Sequence, residues 1–147
     1  MAELTLVHLT DCHLSPTERV EKDDIKMPVA GIDHPRRIDL LRHTLRRIKR
    51  EIDEGRLNVD AVIVSGDGTL RGGPSGQEDL RNCICTELAI DVSRIVVTPG
   101  NHDVVKGSPP DSIQRYKLFT DAWLDSPDGR AVIPFLDGVH SIASVEP

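Results

Sequence analysis

The chain has 147 residues, of which 38% are hydrophobic, only 3% aromatic and 29% charged, with a net charge of -6. That size and mix describe one globular domain with an aliphatic core, and they exclude a disordered chain. They exclude a membrane span too, since no run approaches roughly 18 apolar residues. Met1-Ala2-Glu3-Leu4 does not open a secretory leader, and three cysteines do not make a disulfide scaffold. A soluble, cytoplasmic protein is expected, and the acidic balance argues against a dedicated nucleic-acid surface.

In chain order, Leu4–Leu9 reads as a short apolar strand ending at Thr10-Asp11. A long polar stretch, Ser15 to Asp33, follows, and loops of that length are usually functional or mobile. The clearest helix comes next. Pro35 suits its first turn, Asp33 or His34 can cap it, Ile38, Leu41, Leu45, Ile48 and Ile52 form its apolar stripe, and Gly55 stops it. Its many arginines read as a solvated face, with anion binding as the minority reading.

Val59–Ser65 is a second strand, ending at Gly66-Asp67-Gly68. Ser75 and Glu78 form a capping box for a second helix striped by Leu80, Cys83, Ile84 and Leu88. Ile95–Thr98 is a third strand, ended by Pro99-Gly100. Asp111 or Ser112 caps a third helix, anchored by Trp123. Ala131–Leu136 and Val139–Ser144 read as two strands joined around Asp137-Gly138, with Pro134 restricting the first to an edge. Strands alternating with helices imply an α/β fold with parallel pairing and right-handed crossovers, whose ligand site lies beyond the carboxyl ends of the strands.

Those ends carry the chemistry. They read Asp11-Cys12-His13, Gly66-Asp67 and Gly100-Asn101-His102-Asp103. In an extended segment Asp11 and His13 project to one side and can chelate one cation. Gly66 lets the chain turn and bring the Asp67 carboxylate forward, where it can bridge two cations. Asn101 offers an amide oxygen, and His102 a nitrogen ligand or a titratable acid. Mixed carboxylate, imidazole and amide donors suit Mn, Fe or Zn and suit Ca poorly. Paired cations of this kind serve phosphoester hydrolysis.

With Leu6-Val7-His8-Leu9-Thr10-Asp11-Cys12-His13, Val64-Ser65-Gly66-Asp67 and Pro99-Gly100-Asn101-His102-Asp103, the chain resembles the calcineurin-like metallophosphoesterases. Tyr116-Lys117-Leu118-Phe119 resembles the helix that follows the tetrad in cyclic-nucleotide phosphodiesterase-like bacterial members. The resemblance implies the N-terminal part of a four-layer α/β/β/α fold. It also implies two divalent or mixed-valence transition-metal ions (Mn, Fe or Zn) and hydrolysis of a phosphomono- or phosphodiester. Asp11 and His13 would bind the first metal, Asp67 both, and Asn101 the second. His102 would contact the phosphate and help protonate the leaving oxygen, and Arg71 would touch a phosphate oxygen.

Two departures accompany it. The family's further metal-binding His and its Gly-His-x-His motif lie downstream of the tetrad, whereas this sequence stops at Pro147, and His140 matches neither motif. Leu70 stands where many members have an acidic or amide residue. One incomplete domain over residues 1–147 is therefore expected, its sheet and metal site completed by a downstream region or a second polypeptide. The alternative function is a non-catalytic binding module. His8 reads as a core or sheet residue, and Cys12, Cys83 and Cys85 as small buried hydrophobes.

Overall fold

The computed structural model of the chain describes residues 3–14, 36–70, 74–109, 113–124 and 129–133. The elements run β1 (Leu6–Leu9), α1 (Arg37–Asp53), β2 (Ala61–Ser65), α2 (Pro74–Leu88), β3 (Ile95–Thr98) and α3 (Ile113–Leu124). One turn of 3-10 helix, Val92–Arg94, leads into β3 and was not legible in advance. Asp91 caps it by accepting the Ser93 N–H at 2.8 Å.

The strands form one parallel sheet in the order β1-β2-β3, as the alternation of elements requires. Val7 pairs with Val62 and Val62 with Ile95, while Val64 pairs with Val97. Those residues share a face, because side chains alternate along a strand. They pack with Leu45, Leu80, Ile84, Leu88, Phe119 and Trp123 in one core. Sequential order with right-handed crossovers puts α1 and α2 on that same face. Burying each such aliphatic side chain contributes about 1.5–3 kcal/mol. Trp123 is fully buried, as expected of the anchor of α3.

The opposite face carries Leu6, His8, Ile63, Ser65, Val96 and Thr98. Leu6 is 43% exposed there, and the exposed His8 places Nε2 2.6 Å from Ser65 Oγ. Among the described residues, then, the sheet and one layer of helices are formed. Val132 adds one further parallel bridge beside Val96, with its N–H donating to the Ile95 carbonyl at 2.9 Å. Of the strand expected over Ala131–Leu136, residues 131–133 are described and carry that single bridge and no longer strand. Residues from 134 onward, with the strand expected over Val139–Ser144, lie outside the described residues.

Helix ends differ from expectation. Arg36, not Asp33 or His34, is the N-cap of α1, and its side chain makes no capping bond. The Arg36 guanidinium instead pairs with Asp39 one turn on. The Ser75–Glu78 capping box does not form either: α2 begins at Pro74, so Ser75 already lies inside it. Gly55 does stop α1, at φ +70. Its N–H donates to the Ile52 carbonyl and that of Arg56 to Glu51, a Schellman ending. The end of α2 has the same left-handed residue, but it is Ala89, at φ +54.

The basic face of α1 is largely solvated, as expected, and part of it is also ion-paired. Arg46 meets Glu87 of α2 through two hydrogen bonds of 2.7 and 3.0 Å, and Lys49 meets Asp53. All three cysteines are free thiols, but only Cys83 is buried; Cys12 and Cys85 are half-buried at the edge of the core.

Candidate metal centre

Three loops leave the carboxyl ends of β1, β2 and β3. The first two stay zipped together past their strands. The His13 N–H donates to the Asp67 carbonyl, Leu14 to Gly68, and Leu70 back to Leu14, each at 2.9 Å. Leu14 and Thr69 form an isolated bridge there.

The backbone in this layer is not extended. Asp11, His13 and Asp67 have φ of +53, +46 and +49, and among the described residues Ala89 is the only other non-glycine residue with positive φ. The expectation that an extended Asp11–His13 segment aims both side chains to one side is therefore wrong. The two converge because left-handed residues, separated by Cys12, turn the chain back toward the second loop. Asp and His tolerate this region better than most side chains, at a cost of about 1 kcal/mol each.

The convergence is tight. One ligand atom from each of Asp11, His13 and Asp67 can be chosen so that all lie within 4.8 Å of one another. His13 Nε2 stands 3.6 Å from Asp11 Oδ1. His13 Nδ1 is buried without a hydrogen-bond partner among the described residues, a state that buried polar nitrogens rarely keep.

The third loop closes on the second. The His102 N–H donates to Asp67 Oδ1 at 2.9 Å, which orients that carboxylate. Gly100 is required for this approach: a Cβ on it would lie 2.1 Å from Asp67 Oδ1 and 2.3 Å from the Asp67 nitrogen. Gly66, at φ +84, sits against Gly100 in turn. The His102 ring meets the His13 ring edge-on, with centroids 4.9 Å apart. His102 Nδ1 lies 2.9 Å from the Leu70 carbonyl oxygen. A carbonyl only accepts, so Nδ1 carries the proton and Nε2 is left for other chemistry. Leu70 thus orients His102 through its backbone, although its side chain departs from the family pattern.

Asn101 is exposed, and no recorded hydrogen bond ties it to the three clustered residues. Arg71 lies outside the described residues, as does the polar stretch 15–35. Cys12, between two of the clustered residues, keeps its proton at neutral pH. Burial first, then the negative charges of Asp103 and Asp11, push its thiol up to about 11.

One residue of the tetrad does more than the sequence reading assigned to it. Asp103 is 2% exposed and, among the described residues, accepts five hydrogen bonds: from the N–H groups of Gly68, Thr69 and Gly100, the Thr69 hydroxyl and the Gln77 amide. Gln77, likewise buried, carried no sequence signal at all. A lone Gln in a helix is normally a surface residue.

The donor set fits a transition-metal ion. It combines two carboxylates with an imidazole, and it leaves a buried imidazole nitrogen unpartnered. The model of the calcineurin-like phosphoesterase family matches residues 4–144. No curated protein matches the chain with significance. Among the described residues no helix is long and apolar enough to cross a membrane.

Proposed function

The chain belongs to the calcineurin-like phosphoesterase family, and from that premise we propose that it hydrolyses a phosphoester at a metal centre held by Asp11, His13 and Asp67. The clustering of ligand atoms from these three residues within 4.8 Å of one another is the observation that carries the reading. When bound, a Mn, Fe or Zn ion supplies the positive charge that polarises a phosphoryl group.

The chain's own residues take the remaining roles. The His102 N–H donates to Asp67 Oδ1 and orients that carboxylate, which would help hold this ion and, together with Asn101, a second one. His102, its Nδ1–H fastened to the Leu70 carbonyl, presents Nε2 to receive a proton and pass it to the leaving oxygen. The substrate is proposed to be a phosphomono- or phosphodiester, and the resemblance of Tyr116–Phe119 to cyclic-nucleotide phosphodiesterase-like members makes a phosphodiester the first to test. Arg71 is proposed to contact a phosphate oxygen, and the protein to act in the cytoplasm.

The test is hydrolysis of bis(p-nitrophenyl) phosphate with and without Mn, for the parent chain and for Asp67→Asn. A Mn-stimulated rate that the substitution removes supports the reading. No stimulated rate above that of the variant overturns it and leaves the non-catalytic binding module in its place.

A further inference from the structure

We infer that Gln77 is a positioning residue for the metal centre, acting from α2 through Asp103 on the two loops that carry Asp67 and His102. The inference rests on the metal-dependent reading above.

The relay is continuous and buried. Trp123 Nε1 donates to Gln77 Oε1 at 2.8 Å, and Gln77 Nε2 donates to Asp103 Oδ1 at 2.7 Å. Its direction follows from the partners. The indole N–H can only donate, so it takes the amide oxygen. The carboxylate can only accept, so it takes the amide nitrogen. Gln77 is the one residue of the relay that must offer both, and no hydrocarbon side chain can replace it. Trp123, Gln77, Asp103 and Thr69 are 0%, 1%, 2% and 1% exposed, so water does not compete for these bonds.

Asp103 then ties the two loops together, with Oδ2 accepting from both. Oδ1 accepts from the N–H and hydroxyl of Thr69, at 2.8 and 2.9 Å. Oδ2 accepts from Gly68 at 3.1 Å and from Gly100 at 2.9 Å. Gly68 and Thr69 immediately follow Asp67, and Gly100 packs on the Asp67 carboxylate. One carboxylate therefore sets the spacing between the loop bearing Asp67 and the loop bearing His102. Gln77 sets the carboxylate. Helix α2 can come close enough because its neighbours are small: a Cβ on Gly68 would meet Leu80 at 2.7 Å, and one on Gly76 would meet Thr69 at 2.9 Å.

The experiment compares the parent chain with Gln77→Met, which keeps length and removes both bonds. Trp123→Phe removes the indole N–H together with part of the ring, leaves Gln77 and Asp103 in place, and reads the same relay should Gln77→Met not fold. Ile84→Val trims the core on the same helix without touching the relay. In the metal-free chains, exchange of the Gly68, Thr69 and Gly100 amides is followed by NMR, and Mn affinity is then measured by calorimetry. Gln77→Met is expected to speed exchange at those amides and to weaken Mn binding, each by about tenfold or more, with Ile84→Val changing neither. Trp123→Phe is expected to move both in the same direction by less. The inference is overturned if the relay variants leave those amides unchanged, or bind Mn within about twofold of a parent that binds it. A parent that binds no Mn sinks the metal reading instead, and the amide exchange alone then decides whether Gln77 holds the loops.

Discussion

The sheet under its helices and the loop layer at its carboxyl end are built by opposite means. Beneath the helices, Val7, Val62, Val64, Ile95 and Val97 meet Leu45, Ile84 and Trp123 through apolar contact. In the loop layer, residues sit in the left-handed region and are held by hydrogen bonds converging on Asp67 and Asp103. Apolar packing is non-directional and tolerates small shifts, which suits it to supplying stability. Hydrogen bonds to a buried carboxylate are directional, which suits them to holding ligand atoms at fixed spacing. The body should therefore respond to substitution in stability, and the loop layer in metal binding.

The largest effect sought is on the body side. Leu45→Ala empties a fully buried position of α1, and urea unfolding should show a loss of about 2–5 kcal/mol. Its Mn affinity, measured where the variant is folded, should match the parent. A parallel loss of both would erase the distinction between the regions.

Gly100→Ala probes the loop layer. The new Cβ collides with Asp67 itself, and relief requires the two loops to separate. A stability cost of about 1–3 kcal/mol is expected, together with loss of Mn binding by calorimetry. Unchanged Mn affinity would show that the spacing of these loops does not matter to the site.

A matched pair of glycine substitutions sharpens the comparison. Ala89 and Asp11 both hold positive φ, one at a helix end and one in the cluster. Ala89→Gly should stabilise by about 0.5–1 kcal/mol in thermal unfolding, with Mn binding intact. Asp11→Gly relieves the same backbone conformation but removes a donor. Its stability should stay within about 1 kcal/mol of the parent while Mn binding falls sharply. Left-handed backbone would then be an incidental cost at one place and a functional one at the other.

The smallest effect concerns the outer surface of the body. Two hydrogen bonds from the Arg46 guanidinium hold the Glu87 carboxyl below its usual range. A lowered folded pKa means that the stabilisation is present above the unfolded value and fades as pH falls through the folded one. Glu87→Gln should thus cost about 0.5 kcal/mol at neutral pH. Thermal melts of the two proteins should converge in strong acid; a gap that persists there would assign the cost to something other than charge.

Much of this was legible in advance where a residue's role depends on near neighbours in the chain. The stripe of α2, Leu80, Cys83, Ile84 and Leu88, is buried as its spacing requires. The parallel sheet follows from alternating elements, and Gly55 ends α1 where its φ is needed. Elsewhere a local rule lost to tertiary packing. Ser75 has the right spacing to Glu78 for a cap, yet α2 starts at Pro74. Nothing in the sequence marks Ala89 as the left-handed end of that helix, because the usual glycine is absent.

The sequence by itself determined the order of strands and helices, the apolar faces, and which residues arrive at the strand ends. Periodicity and strand-end position are properties of the chain read locally. Only the tertiary structure decided how those residues meet. Asp11 and His13 converge through a left-handed turn and not through an extended strand. His102 takes its orientation from the Leu70 carbonyl, and Gln77 reaches from a helix to brace Asp103. Each of these depends on contacts between segments 26 to 56 residues apart. No local pattern encodes such contacts, since they exist only once the three loops have been brought to one end of the sheet.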